Sequence, residues 1–263
     1  MRVCVIGNSH VGPWKLAWDD LRSSFPHLAL HFFAGPGSTL RELEVIDGAL
    51  ATRDADLRKY LELTGGAESI RLDDYDAFCI VGCGVVVLPL VRLYEGWRAE
   101  SHLCREGNFT SVSDACFEAA ARGIVGRSFG LNICRSLAEL TDKPIFLSAQ
   151  PFPSDAILHR RAAKHAGWRL LHDGGDDREI AGLFDRLLKD FDGGRLLTLP
   201  PPPATMSAPL LTHDRYSRDS RHLFQPDEAH RTTEFFHMNV EFGALCLRDL
   251  LSRVGGDLKK AAA

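Results

Sequence analysis

The sequence has little of what would place a chain in a class at a glance. No apolar run approaches the roughly 20 residues that cross a bilayer as a helix, so the sequence gives no membrane expectation. Met1-Arg2 passes straight into a strand-like stretch at residues 3–6, without the charged, apolar and small-residue zones of a secretory leader. Cysteine is present seven times, an odd number, but never as C-x-x-C, so zinc-ribbon and thioredoxin spacings are excluded. Reduced thiols and a cytoplasmic location are the expectation. An excess of positive charge is missing too: 31 Lys and Arg stand against 35 Asp and Glu, a formal net charge of −4. That balance offers no general attraction to nucleic acid or an anionic membrane, and the Arg160-Arg161 pair is too short to alter it. Finally, neither G-x-G-x-x-G nor G-x-x-x-x-G-K-[ST] occurs. The two commonest glycine-rich phosphate cradles are therefore absent, and there is no internal repeat.

What the chain does have is length for a large core, 263 residues of which 45% are hydrophobic. Strand-like runs appear at 2–7, at "LALHFFA" (28–34), at "YDAFCIVGCGVVV" (75–87) and at "KPIFLSAQPFP" (143–153). The third is almost continuously apolar, as a central strand of a parallel sheet is; Cys4 and Cys79 in these runs read as small core residues. Helical patterns lie between them: 13–21, "TLRELEVIDGAL" with Ser38 as its N-cap, "DADLRKYLELT" up to Gly65-Gly66, a long zone over 113–140 broken near 123–130, 176–191, and 239–254. The proline-rich 196–207 reads as a rigid loop. Alternating strands and helices predict a three-layer α/β/α domain around a mainly parallel, doubly wound sheet of about five strands. Its expected span is 1–254, with 255–263 as a tail.

In such sheets functional groups gather at the carboxyl ends of the strands. Three polar or glycine-rich breaks occur there, at 7–10, 35–38 and 82–84. The second polar cluster, "DEAHRTTEFFHMNVEFG" (227–243), precedes the last predicted helix. Ser9 and His237 thus supply the parts of a nucleophile–base pair, in which a base takes the hydroxyl proton and an acid steadies the imidazole.

"GNSH" (7–10) and "HMNVEFG" (237–243) together resemble the SGNH hydrolase superfamily, also called GDSL-type esterases or acylhydrolases. In that family glycine, an aspartate or asparagine, and the nucleophilic serine end the first strand. Its last block places Asn two residues after the catalytic histidine, then an aromatic–glycine pair. The resemblance implies the flavodoxin-like SGNH fold and serine-dependent hydrolysis of an acyl ester, with no cofactor. It implies Ser9 as nucleophile and His237 as base. Its oxyanion hole comes from the Ser9 N–H, a glycine N–H in the second block, by position Gly37 with Gly35 close behind, and an asparagine in the third block. Here that third block reads "GCG", so Cys83 or Gly84 stands where an amide side chain is expected. Backbone N–H groups at Cys83 and Gly84, or an asparagine elsewhere in the chain, are the expected substitutes. The family's acid is an Asp three residues before the histidine, a position held by Glu234. The literal Asp-x-x-His is Asp227–His230, which lacks the following Asn and Gly. The expected partner is a small-molecule or carbohydrate ester.

Plainer readings exist for each residue. A serine after a strand caps a helix more often than it attacks a carbonyl, and glycines commonly serve positive φ or close approach. His230, Glu234 and His237, at offsets of four and seven, would share one face of a helix and suggest a metal site, but their spacing fits no standard zinc motif. A binding protein or an acyl transferase on the same fold is the other alternative, motivated by the missing third-block asparagine. Trp14, Trp18 and Phe25 read as a core stripe, with Trp14 near enough to Ser9 to wall a pocket. Residues 88–142 are a long insertion whose role, pocket or interface, the sequence leaves open.

Overall fold

Five parallel strands form the centre of the protein: β1 (Arg2–Gly7), β2 (Ala29–Ala34), β3 (Ala77–Val81), β4 (Ile145–Ser148) and β5 (Leu196–Leu199). The computed structural model describes residues 1–191, 196–225, 227–231 and 233–261, with side chains described through 255. Strand order across the sheet is β2-β1-β3-β4-β5, the flavodoxin-like order, whose direction of winding reverses between β1 and β3. The register sets Gly7 beside both Ala34 and Val81, so the first three strands end level with one another.

Among the described residues eight α-helices cover the sheet: α1 (Gly12–Leu21), α2 (Ala55–Gly65), α3 (Leu88–Gly96), α4 (Asp114–Val125), α5 (Phe129–Leu140), α6 (Ala166–Gly174), α7 (Asp177–Lys189) and α8 (Val240–Ala261). Because alternate strand residues point to opposite faces, β1 feeds two cores. Cys4 and Ile6 join the core that contains residues of α2 through α7. Val3 and Val5 join the core made with Trp14, Trp18, Phe242 and Leu247 of α1 and α8. The fold is a three-layer α/β/α arrangement around a doubly wound parallel sheet.

Several local expectations change. The predicted helix after Ser38 is a short 3-10 turn (Thr39–Glu42) followed by an antiparallel hairpin, Glu44–Ile46 with Ala49–Ala51. Ser38 makes no side-chain cap bond. The cause is the Asp47-Gly48 dipeptide: both residues have positive φ, 50° and 74°, the requirement of a two-residue hairpin turn. Residues 196–199 are not loop but the edge strand β5, with the proline run beginning only at Pro200, as suits a strand that ends at a sheet edge. The final helix continues through the region expected as a tail, to Ala261; residues 262 and 263 lie outside the described residues. Within 88–142, α3, α4 and α5 contribute Leu90, Tyr94, Phe117 and Leu137 to the core, so much of the insertion is one covering layer of the sheet. Trp14 is 1% exposed and packs in the α1/α8 core.

Among the described residues, no helix is long and apolar enough to cross a membrane.

Candidate active site

The first turn after β1 is built by glycine and asparagine. A Cβ on Gly7 would stand 2.7 Å from the Val81 carbonyl oxygen and closer still to Val11, so only glycine lets β1 end this tightly against β3. Asn8, 8% exposed, caps the 3-10 turn Ser9–Val11 by accepting the His10 N–H through Oδ1 at 3.3 Å. The capping duty expected of a serine here thus falls on Asn8, and the Ser9 hydroxyl is free for another partner. That partner is His237: Ser9 Oγ and His237 Nε2 are 2.9 Å apart, across 228 residues of sequence.

The histidine is held by what surrounds it in the chain. Phe235 and Met238 are buried anchors, 3% and 2% exposed, and the Phe235 carbonyl accepts the Ser154 N–H at 2.8 Å. Asn239 donates from Nδ2 to the carbonyls of Arg215 (2.8 Å) and Arg218 (3.0 Å) and accepts the Phe242 N–H at 3.2 Å. Its own N–H donates to the Tyr216 carbonyl at 2.7 Å. It starts α8 and ties it to the loop beside it. Gly243 completes the arrangement: a Cβ there would lie 2.1 Å from the Pro13 carbonyl oxygen. The helix after the serine and the helix after the histidine therefore touch backbone to backbone, which fixes the two side chains relative to each other.

Glu234 stands behind the imidazole, its Oε1 3.5 Å from His237 Nδ1. The carboxyl is pulled down to about 2, first by the His237 side chain and then by the Phe236 N–H that it accepts at 2.9 Å, against burial, which acts to raise it. The His237 contact is longer than the 2.7–3.2 Å of an ordinary N–H···O bond, and among the described residues Nδ1 has no shorter one. It is a long, weak contact of carboxylate with imidazole.

Asp227, by contrast, is exposed, and among the described residues nothing pairs it with His230. His230, Glu234 and His237 are not on a helix as their spacing suggested; they lie on the irregular segment before α8. Among the described residues no group of three or more His, Cys, Asp or Glu is arranged to hold a metal ion.

The third break takes an unusual backbone path. Gly82, Cys83 and Gly84 all have positive φ, 71°, 49° and 73°. A Cβ at Gly82 would meet Asn8 Oδ1 at 2.6 Å, and one at Gly84 would meet Phe129 at 2.8 Å. The Cys83 side chain is fully buried, beside Gly130, whose N–H donates to the Cys83 carbonyl at 2.8 Å. Burial pushes its thiol up to about 12, so it is neither a nucleophile nor an exposed donor. In the second break Gly35 donates its N–H to the Gly7 carbonyl at 3.3 Å, while Gly37 is exposed with a φ of 56° and open space where a side chain would project.

Sequence reasoning missed the surroundings of the imidazole. His10 lies on one side of His237, ring centroids 4.9 Å apart and planes within 15°; His230 lies against it at 4.0 Å and 14°. His222 adds a further ring, 3.8 Å from His230. Burial, followed by the neighbouring His237, lowers His10 to about 3 and His230 to about 4. A cavity of about 310 Å³ opens at the carboxyl ends of β4 and β5, lined by Phe152, Phe184, Met206 and Phe242. Gln150 stands on its wall and also beside His10, but Ser9 and His237 do not line it.

No protein-family model matches the sequence, and no curated protein matches it. Among solved structures the chain is similar to a crystal structure of the lipase Lip_vut3 from a goat rumen metagenome, with a TM-score of 0.48, 12% identity and 96% of each chain covered.

Proposed function

We propose that this protein is a serine-dependent ester hydrolase of the SGNH type, acting on an acyl ester of a small molecule or carbohydrate. The observation that carries the reading is the 2.9 Å approach of Ser9 Oγ to His237 Nε2, at the carboxyl edge of the sheet beside the point where its winding reverses. Ser9 Oγ attacks the ester carbonyl carbon while its proton passes to His237 Nε2. The tetrahedral oxyanion collapses, the same proton goes to the leaving alcohol, and an acyl-Ser9 ester remains. Water then gives a proton to His237 and attacks that ester; the acid departs and Ser9 regains its proton. Glu234 keeps the imidazolium favourable through its negative charge. Backbone N–H groups at Ser9, Gly37, Cys83 and Gly84 are the donors proposed for the oxyanion. The left-handed turn at 82–84 supports a main-chain donor here, because the Cys83 side chain is turned into the core.

Treating wild type, Ser9→Ala and His237→Ala with an alkyl fluorophosphonate and weighing the intact proteins tests this without a known substrate. One covalent adduct on wild type, lost in both variants, is expected. A folded wild type that takes up no reagent sinks the activated serine and leaves the binding-protein alternative, which the buried Cys83 in place of an amide donor favours.

A further inference from the structure

We infer that His230 is a positioning residue for His237: together with His10 it lays a nearly parallel ring against the imidazole, and this stacking sets the plane in which Nε2 meets Ser9. The inference rests on the serine–histidine reading above and adds how the base is oriented.

An imidazole used as a base needs its ring plane fixed, and a hydrogen bond that Nδ1–H donates to a carboxylate is the usual means. Here that contact is long, with Nδ1 and Oε1 3.5 Å apart, and among the described residues Nδ1 has no closer partner. What restrains the ring instead arrives from two separate elements. His10 comes from the turn after β1, where Asn8 holds its N–H. His230 comes from a small paired segment in which its N–H donates to the Ser220 carbonyl at 2.7 Å, Arg221 bridges Ala229, and the His222 N–H donates to Glu228 at 3.0 Å.

Interplanar angles of 15° and 14° leave the central ring little room to tilt. Ring centroids near 4–5 Å are in the range of attractive stacking. The polar atoms point to the same conclusion. Among the described residues His10 Nδ1 and His230 Nε2 are buried without hydrogen-bond partners, a burial that is unfavourable unless something else is gained. Ring faces, not ring nitrogens, are what these two positions present to His237. Both rings are held neutral by burial and by the neighbouring histidine, so neither opposes the positive charge that His237 takes during attack.

The experiment follows the rate of Ser9 labelling by an alkyl fluorophosphonate, with kcat and KM on p-nitrophenyl acetate, in wild type, His230→Ala, His230→Phe and Glu234→Gln. Circular dichroism and Tm establish that each variant is folded, and His230→Gln serves as the ring-less variant if the alanine form is not. Loss of the ring is expected to slow labelling about tenfold or more, through kcat rather than KM, as misorientation of a reacting group does. Phenylalanine restores the rate to within about threefold of wild type, and Glu234→Gln is slowed less than the ring-less variant. An unlabelled wild type overturns the serine–histidine reading and this inference with it. A labelled wild type overturns the inference alone in any of three cases: the ring-less variant labels at the wild-type rate, phenylalanine is as slow as alanine, or Glu234→Gln is the slowest of all.

Discussion

At the scale of the residue, burial sets the charge of five histidines, two of them, His10 and His230, against His237. His10, His31, His102, His165 and His230 all have their pKa lowered, in each case chiefly by burial. The sign of the consequence is definite. Between about pH 6.5 and the lowered folded values, the unfolded chain binds protons that the folded protein does not, so stability is whole above 6.5 and falls as pH drops below it. For His10 and His230 the fall continues toward about 3 and about 4. Glu234, depressed to about 2, acts below that range: its contribution is present above the ordinary glutamate value and is lost only as pH falls toward 2. Urea unfolding at intervals between pH 6.5 and 4.5 therefore isolates the histidines. Wild type should lose stability steadily across this window, and His230→Phe should show a shallower slope; a profile flat in wild type contradicts the buried neutral rings. Ser9 and His237 were legible in the sequence because strand end and helix start bracket them. The ring column was not, since residues 10, 222, 230 and 237 share no period and meet only through the path of an irregular segment.

At the scale of the element, the close pair α1 and α8 matters most. Gly243 allows that contact, and Gly243→Ala would force a methyl group against the Pro13 carbonyl, 2.1 Å away. Overpacking against backbone commonly costs about 1–3 kcal/mol. A lowered Tm is expected, together with slower fluorophosphonate labelling in the folded fraction, because α8 carries His237 away from Ser9 as it moves. Unchanged labelling would show that the 235–239 segment holds the histidine without the helix behind it. The strands β1 to β4, together with α1, α2, α4, α5, α7 and the start of α8, follow the patterns visible in the chain. The exceptions have local causes. Asp47-Gly48 turns a helix-like composition into a hairpin, and β5 is a four-residue strand hidden against prolines. The Asn and Gly that follow His237 were read as family markers; in the fold they are a helix-start clamp and a backbone contact, and their spacing follows from that work.

At the scale of the whole molecule, the thiols report on closure of the two cores. Of the seven cysteines, Cys116 is exposed and the other six are buried. A thiol reagent that absorbs on reaction should modify one group quickly in the native protein and all seven after denaturation. Its Tm should be the same with and without a reductant. Rapid modification of several native thiols would mean that one of the cores is open to solvent. Placement of the candidate site at the reversal of the sheet was foreseeable from the strand–helix alternation. The cavity beside Gln150 was not, because residues from β4, β5, α7 and α8 converge on it without any shared pattern in the chain.

The two partners of the 2.9 Å contact stand 228 residues apart, and the second of them lies just ahead of α8, the helix that seats it. During synthesis, then, the chain would emerge with its serine in place but inert. A ribosome that stalls anywhere before His237 would release a product with no activated hydroxyl. On the serine–histidine reading proposed above, reactivity toward an acyl group would begin only once α8 has docked on α1, which brings the two side chains together.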